Sequence, residues 1–199
     1  MYITGFSRID TTSWPGRYLS VVRISGTEGI GENIAEIANT IRGDKGSIDA
    51  VLLLREDGDP ECIEGIHHFL KALRTPGIPT IIVTSGFDTA RLDDLVGAGY
   101  IDRVAFRVEG IPGAEQMRSI DAIRSMEIPF CICPVLNPRK LTGDEIEQIA
   151  GRTPGHDEFI LLVPREPAPA FKKKELNVLA KRLKGVARNV RVMNDVKTP

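Results

Sequence analysis

Cysteine is scarce: three occur in 199 residues. An odd count without an export signal argues against a disulfide framework and points to a reducing, cytoplasmic compartment. Long apolar runs are missing as well. None reaches the ~18 residues that cross a bilayer, and the opening MYITGFSRID is too polar and too poor in basic residues for a signal peptide. Excess charge of either sign is missing: 26 Lys and Arg face 27 Asp and Glu, for a net charge of −1. Neither nucleic acid nor a membrane is therefore expected as a partner. The one basic run, Lys172-Lys173-Lys174, opens a helical stretch and suits a solvated helix face. Short repeats and low-complexity segments are absent. Gly29 and Gly31 lie in a loop that lacks both GxGxxG and the Walker lysine. The three histidines, His67, His68 and His156, show no HxxxH spacing. No Ser/His/Asp or Cys/His arrangement can be argued from spacing either.

What is present is an alternation. After a Trp14-Pro15-Gly16 turn, apolar β-branched runs alternate with amphipathic stretches. The runs Tyr18–Ser25, Asp49–Arg55, Thr80–Thr84, Asp102–Val108, Phe130–Val135 and Glu158–Val163 read as strands. Segments such as AVLLL, TIIVT and FILLV suit parallel strands covered on both faces. Helices are predicted at Glu28–Arg42, Glu61–Arg74, Thr89–Ala98, Glu115–Met126, Gly143–Ala150 and Lys173–Lys184. In the second of these, Ile63, Ile66, Phe69, Leu70 and Leu73 share one face. Asn189–Met193 suits an edge strand. The expected fold is a single α/β domain over residues 1–199, with core βα units at 18–164 and a C-terminal loop, helix and edge strand at 165–199. A partial (β/α)6 barrel and an open doubly wound parallel sheet both satisfy this pattern.

In such folds the chemistry collects at the carboxyl ends of the strands. The candidate ligand-binding residues are therefore Arg55, Glu56, Asp57, Asp59, Thr84, Ser85, Arg107, Glu109, Asn137 and Arg139. REDGDPE (residues 55–61) offers four carboxylates to a divalent cation, or else Asp59 caps a helix with Pro60 at its first position. TSGFD (84–88) offers amides to a phosphate or ribose, or else forms a plain turn with Gly86 at positive φ and Asp88 or Thr89 as cap.

Residues 3 to about 165 resemble the radical S-adenosylmethionine (SAM) enzymes, closest to the activating enzymes of anaerobic ribonucleotide reductase and pyruvate formate-lyase. GFSRIDTTSWPGRYLSVVRISG stands where family members carry GF…STVDWPGR…VVF. Asp57-Gly58-Asp59-Pro60 stands at the family's GGEP, Thr84-Ser85-Gly86 at its TNG, and Gly99–Glu109 at its GxxDxVxxDxK. The resemblance implies a partial barrel and also marks departures. The family's CxxxCxxC, which holds a [4Fe–4S] cluster, has shrunk to Gly26-Thr27-Glu28-Gly29. The glutamate that helps hold the SAM amino group is the shorter Asp59. The family's Asp and Lys of the fourth strand are Arg107 and Glu109, so both charges are reversed.

Cys131 and Cys133 share one strand face and Cys62 opens a helix, which suits core thiols better than cluster ligands. No cluster is expected, SAM binding is not expected, and no catalytic or metal residue is assigned. The resemblance with these losses implies a non-catalytic scaffold whose partner is another protein, such as an intact radical SAM enzyme or a glycyl-radical enzyme. The alternative is an enzyme or binding protein that uses the strand-end pocket for a small anionic ligand, SAM or a nucleotide without a cluster. In the filled form of that pocket, Arg107 pairs with Asp57 or Asp59.

Overall fold

The computed structural model describes the chain apart from residues 12–13, 15, 28–32, 155, 165–170, 188 and 195–199, and apart from the side chain of residue 194. The expectations about Pro15, the Gly29/Gly31 loop, the helix start at Glu28 and the loop that begins at 165 lie outside the described residues. Contacts divide the chain into two compact units, Met1–Val104 and Ala105–Pro199.

The first unit holds β1 (Tyr2–Asp10), β2 (Leu19–Ser25), α1 (Ile34–Gly43), β3 (Ala50–Arg55), a 3-10 turn (Pro60–Cys62), α2 (Ile66–Leu73), β4 (Thr80–Thr84) and α3 (Thr89–Gly97). Strand β5 (Arg103–Val108) begins here and ends in the second unit. The second unit continues with α4 (Ala114–Ser125), β6 (Phe130–Pro134), α5 (Gly143–Arg152), β7 (Glu158–Val163), α6 (Lys173–Leu183) and β8 (Val190–Asn194).

Within each unit the strands lie side by side in chain order. β2 pairs with β3 and β3 with β4 in parallel, as do β6 with β7 and β7 with β8. Right-handed crossovers that always step the same way place successive helices on one face. A doubly wound sheet needs a reversal of order, and neither unit contains one.

The difference from the sequence reading is β1, which pairs antiparallel to β2. Its stretch YITGFSRID mixes polar and apolar residues and is mostly half-exposed, so it lacks the continuous apolar run that marks the other strands. The predicted helix over Glu61–Arg74 is broken instead into the 3-10 turn and α2. Gly65, at φ 79°, stands between them in the left-handed region where glycine is favoured.

The apolar periodicity finds its use. Ile37, Ala38 and Ile41 of α1, and Ile66, Phe69, Leu70 and Leu73 of α2, are buried. Trp14, next to the expected turn, is only 1% exposed. Helix starts follow their side chains: Asn33 accepts from the Ala35 N–H, Asp88 from Arg91, and Thr142 and Glu145 form a reciprocal capping box.

One device recurs at the strand starts. Asp49, Asp102 and Asp157 each sit one residue before a strand. Each donates its own N–H to a carbonyl, of Tyr18, Thr80 and Phe130 respectively, at 2.7–2.9 Å. Each carboxylate accepts the N–H of that same residue at 2.8, 2.8 and 3.0 Å. A short acidic side chain thus staples neighbouring strands at the amino end, the end that serves stability in these folds.

Candidate functional site

The candidates fall into two groups. In the first unit, Arg55 ends β3 and turns back on its own loop. Its Nε donates to Asp57 Oδ1 at 2.6 Å, and a terminal nitrogen donates to the Asp59 carbonyl at 3.3 Å. Two glycines make room for it. A Cβ at Gly26 would lie 2.8 Å from the guanidinium, and one at Gly58 would lie 3.5 Å away. The hydroxyls of Ser25 and Thr27 also donate to Asp57, at 3.3 and 3.5 Å. The Arg55 hydrogen bond holds the Asp57 carboxyl down at about 2, against an ordinary 3.8. Glu56 contributes a backbone N–H to the Ile24 carbonyl and leaves its side chain in solvent.

Asp59 makes no side-chain cap on the turn that follows it, although Pro60 does take the first helical position. Its carboxylate, 5% exposed, reaches across to the end of β4 instead. It accepts from the Ser85 N–H at 2.9 Å, from the Ser85 hydroxyl at 2.9 and 2.8 Å to its two oxygens, and from the Phe87 N–H at 3.2 Å. The capping reading of Asp59 is thereby corrected: two orphan amides of a neighbouring loop outbid one at a short turn.

The TSGFD loop takes its plain-turn form, with Gly86 at φ 76° and Asp88 capping α3. The amides that could hold a phosphate already hold a carboxylate. The third, Gly86 N–H, donates to Thr84 Oγ1 at 2.8 Å. Thr84 in turn donates to Glu61, which is fully buried. Glu61 is the residue that sequence reasoning undervalued. A carboxylate two residues from Asp59 was visible, but its burial depends on the break in the helix.

Phe87 is carried outward on this turn and is 86% exposed.

In the second unit, Arg107 and Glu109 share a face as alternation requires. Arg107 Nε donates to Glu109 Oε1 at 3.0 Å, and Lys140 Nζ stands 3.7 Å from the other Glu109 oxygen. Glu109 is thus an ion-pair partner of Arg107 on the same strand, a pairing that the sequence reading did not name. Lys140 was not anticipated. Asn137 is a turn former: its side chain accepts from the Arg139 N–H at 3.0 Å, and Arg139 itself is exposed.

The described thiols and the loop after β2 are not arranged as ligands of an iron–sulfur cluster. Such a cluster needs thiolates at fixed reach, and the loop after β2 offers Ser25, Gly26 and Thr27. Cys131 and Cys133 face one another at 3.6 Å between sulfurs, buried on β6. Their shared hydrogen bond, followed by burial, pushes the Cys133 thiol well up, away from the thiolate. Cys62 belongs to the other unit, and burial followed by the negative charges of Glu61 and Asp59 raises its pKa too. Among the described residues no three His, Cys, Asp or Glu side chains are grouped to hold a metal ion. Among the same residues no helix is long and apolar enough to cross a membrane.

No protein-family model matches the chain, and no curated protein matches it in sequence. Solved structures do match in fold. SuiB of Streptococcus suis, bound to its precursor peptide SuiA, is 15% identical with a TM-score of 0.65; the match covers 87% of this chain and 45% of SuiB. A radical SAM methyltransferase from Sphaerobacter thermophilus is 12% identical, also at 0.65, covering 92% of this chain and 68% of that one. A type I 3-dehydroquinate dehydratase from Clostridium difficile, 14% identical, matches at 0.54 over 96% of this chain and 81% of its own. The chain therefore has an α/β fold of the partial-barrel kind, like that of radical SAM enzymes. It spans less than half the length of SuiB.

Proposed function

We propose that this chain is a degenerate relative of the radical SAM activating enzymes that works without a cluster, as a non-catalytic protein-binding scaffold. One observation carries the reading. At the ends of β3 and β4 the groups that would receive a ligand are satisfied from within: Arg55 by Asp57, and the Ser85 and Phe87 amides by Asp59. A zwitterionic methionine moiety would have to displace those bonds, each of the charge-assisted kind. The reversed charges of Arg107 and Glu109 act in the same direction, because they meet one another at 3.0 Å. SuiB, a neighbour in fold, binds a precursor peptide. The proposal keeps such a macromolecular partner and drops the redox chemistry. An intact radical SAM enzyme or a glycyl-radical enzyme is the partner class that the activating-enzyme resemblance suggests.

The test is calorimetry of the purified chain with SAM and with S-adenosylhomocysteine. No heat of binding is expected up to millimolar ligand. Micromolar affinity for either, lost in Arg107→Ala, overturns the proposal in favour of a cluster-free SAM-binding protein.

A further inference from the structure

We propose that the groove beside α6 is the docking site for an acidic protein segment carrying an apolar anchor. This names the surface for the scaffold role proposed above and rests on that role, but on none of the strand-end residues. The groove has a volume of about 360 Å³. Phe171, Val178 and Leu179 supply its apolar lining, with Gly143 at the start of α5, and Lys174, Glu175 and Arg182 are its charged residues.

The charge around it is lopsided. Residues 172–184 carry five lysines and one arginine against one glutamate; Asp144, Glu145 and Glu147 at the start of α5 offset part of this and leave two positive charges in excess, in a chain whose net charge is −1. Arg182 is held by Asp144 and Glu147, at 2.7 and 2.8 Å. Glu175 is turned back to the Lys172 N–H at 2.7 Å. Lys172, Lys173 and Lys174 are exposed and stand at the amino end of α6. There the helix macrodipole is positive, so cations are disfavoured. Three cations placed against the dipole, beside an apolar wall, are an arrangement that an anionic partner relieves.

The shape selects among anions. The apolar stripe of α6, including Leu179 and Leu183, is spent on the core, which leaves Val178 as the exposed apolar residue of the helix. That is too little apolar surface to insert into a bilayer. An apolar groove whose one carboxylate is turned back to a backbone amide and whose border carries a net excess of cations instead receives the anchor of an acidic amphipathic segment.

The probe is a fluorescein-labelled peptide of glutamates with leucines at i and i+4, followed by anisotropy on the full chain. Saturable binding is expected. Lys173→Glu/Lys174→Glu should weaken it at least about tenfold, as should Gly143→Leu. The latter fills the groove and leaves every charge in place, since a Cβ at 143 meets Leu179 and Arg182 at ordinary contact distances of 3.8 and 3.7 Å. Val178→Asp should do the same and, being exposed, should leave the circular dichroism unchanged. The leucine-free peptide should bind at least about tenfold more weakly. Absence of binding overturns the proposal, as does binding indifferent to Gly143→Leu and to the leucines. Equal or tighter binding to phosphatidylserine–phosphatidylcholine vesicles overturns it in favour of a membrane. Self-association abolished by the same substitutions overturns it in favour of a second copy. A positive SAM titration would sink the strand-end reading and leave this result standing.

Discussion

Asp59 offers the sharpest perturbation. Its buried carboxylate takes two backbone amides and one hydroxyl from Ser85 and Phe87. Hydrogen bonds to a charged group contribute about 1.5–3 kcal/mol each, and stranding a buried donor costs about 1–3 kcal/mol. Asp59→Asn keeps one acceptor oxygen and presents an amino group where the other stood. It should cost about 2 kcal/mol, and Asp59→Ala about 3 kcal/mol once water has rehydrated part of the loop. In a chain of this length 1 kcal/mol shifts Tm by about 2–4 °C, so losses of about 4–8 and 6–12 °C are expected by calorimetry. The alanine variant opens an anion nest that small carboxylates can re-enter. Sodium acetate at ten times its Kd should restore about 1.4 kcal/mol by mass action, and should do so for the variant and not for the wild type. A variant within about 0.5 kcal/mol of wild type, or one that acetate leaves unmoved, would refute the claim that these amides are satisfied by Asp59.

Four further outcomes are expected. Because Arg55 depresses Asp57 to about 2, the pair stabilises the fold above the ordinary carboxylate pKa and is lost as pH falls from about 4 through 2. The raw shift corresponds to about 2.4 kcal/mol, and with the Asp57 side chain 32% exposed, solvent screening leaves about 1. Urea unfolding of wild type and Arg55→Ala should converge in acid by that amount. Thr84→Val, which strips the donor from buried Glu61 and the acceptor from Gly86, should cost about 2 kcal/mol in urea melts; a neutral result would show that the hydroxyl is dispensable. Native iodoacetamide labelling read by mass spectrometry should reach half-buried Cys62 before Cys131 or Cys133, whose thiols are buried and, for Cys133, held protonated. Asp102→Ala, which removes the staple to Thr80 and the partner of Arg74 at 2.9 Å, should destabilise by about 1–2 kcal/mol without altering the peptide binding proposed for α6.

The parallel strands were legible because their apolar runs are continuous: β4 and β7 fall on Thr80–Thr84 and Glu158–Val163 as read. β1 was not, because a half-exposed antiparallel strand with Gly5 and irregular register leaves no clean alternation. The strand-end positions were legible as places, since the topology dictates where loops gather. Their pairings were not. Arg107 meets Glu109 two residues along its own strand, a pairing that sequence spacing placed on one face without naming it. Asp59 abandoned a local cap for the loop after β4, a choice made by tertiary proximity that no local pattern encodes. The strand-start aspartates were visible as residues at the edges of the predicted strands, but their stapling geometry required knowing which strands were neighbours.

The slot in which Arg55 lies also ties two loops together. A Cβ at position 26 would stand 2.8 Å from a terminal nitrogen of Arg55, while the Nε that holds Asp57 lies 3.8 Å from the same point. A side chain at 26 therefore asks the guanidinium to swing its outer end aside while its inner nitrogen keeps the carboxylate. The loops after β2 and β3 thus share one space, and substitutions in the two are expected to couple rather than add.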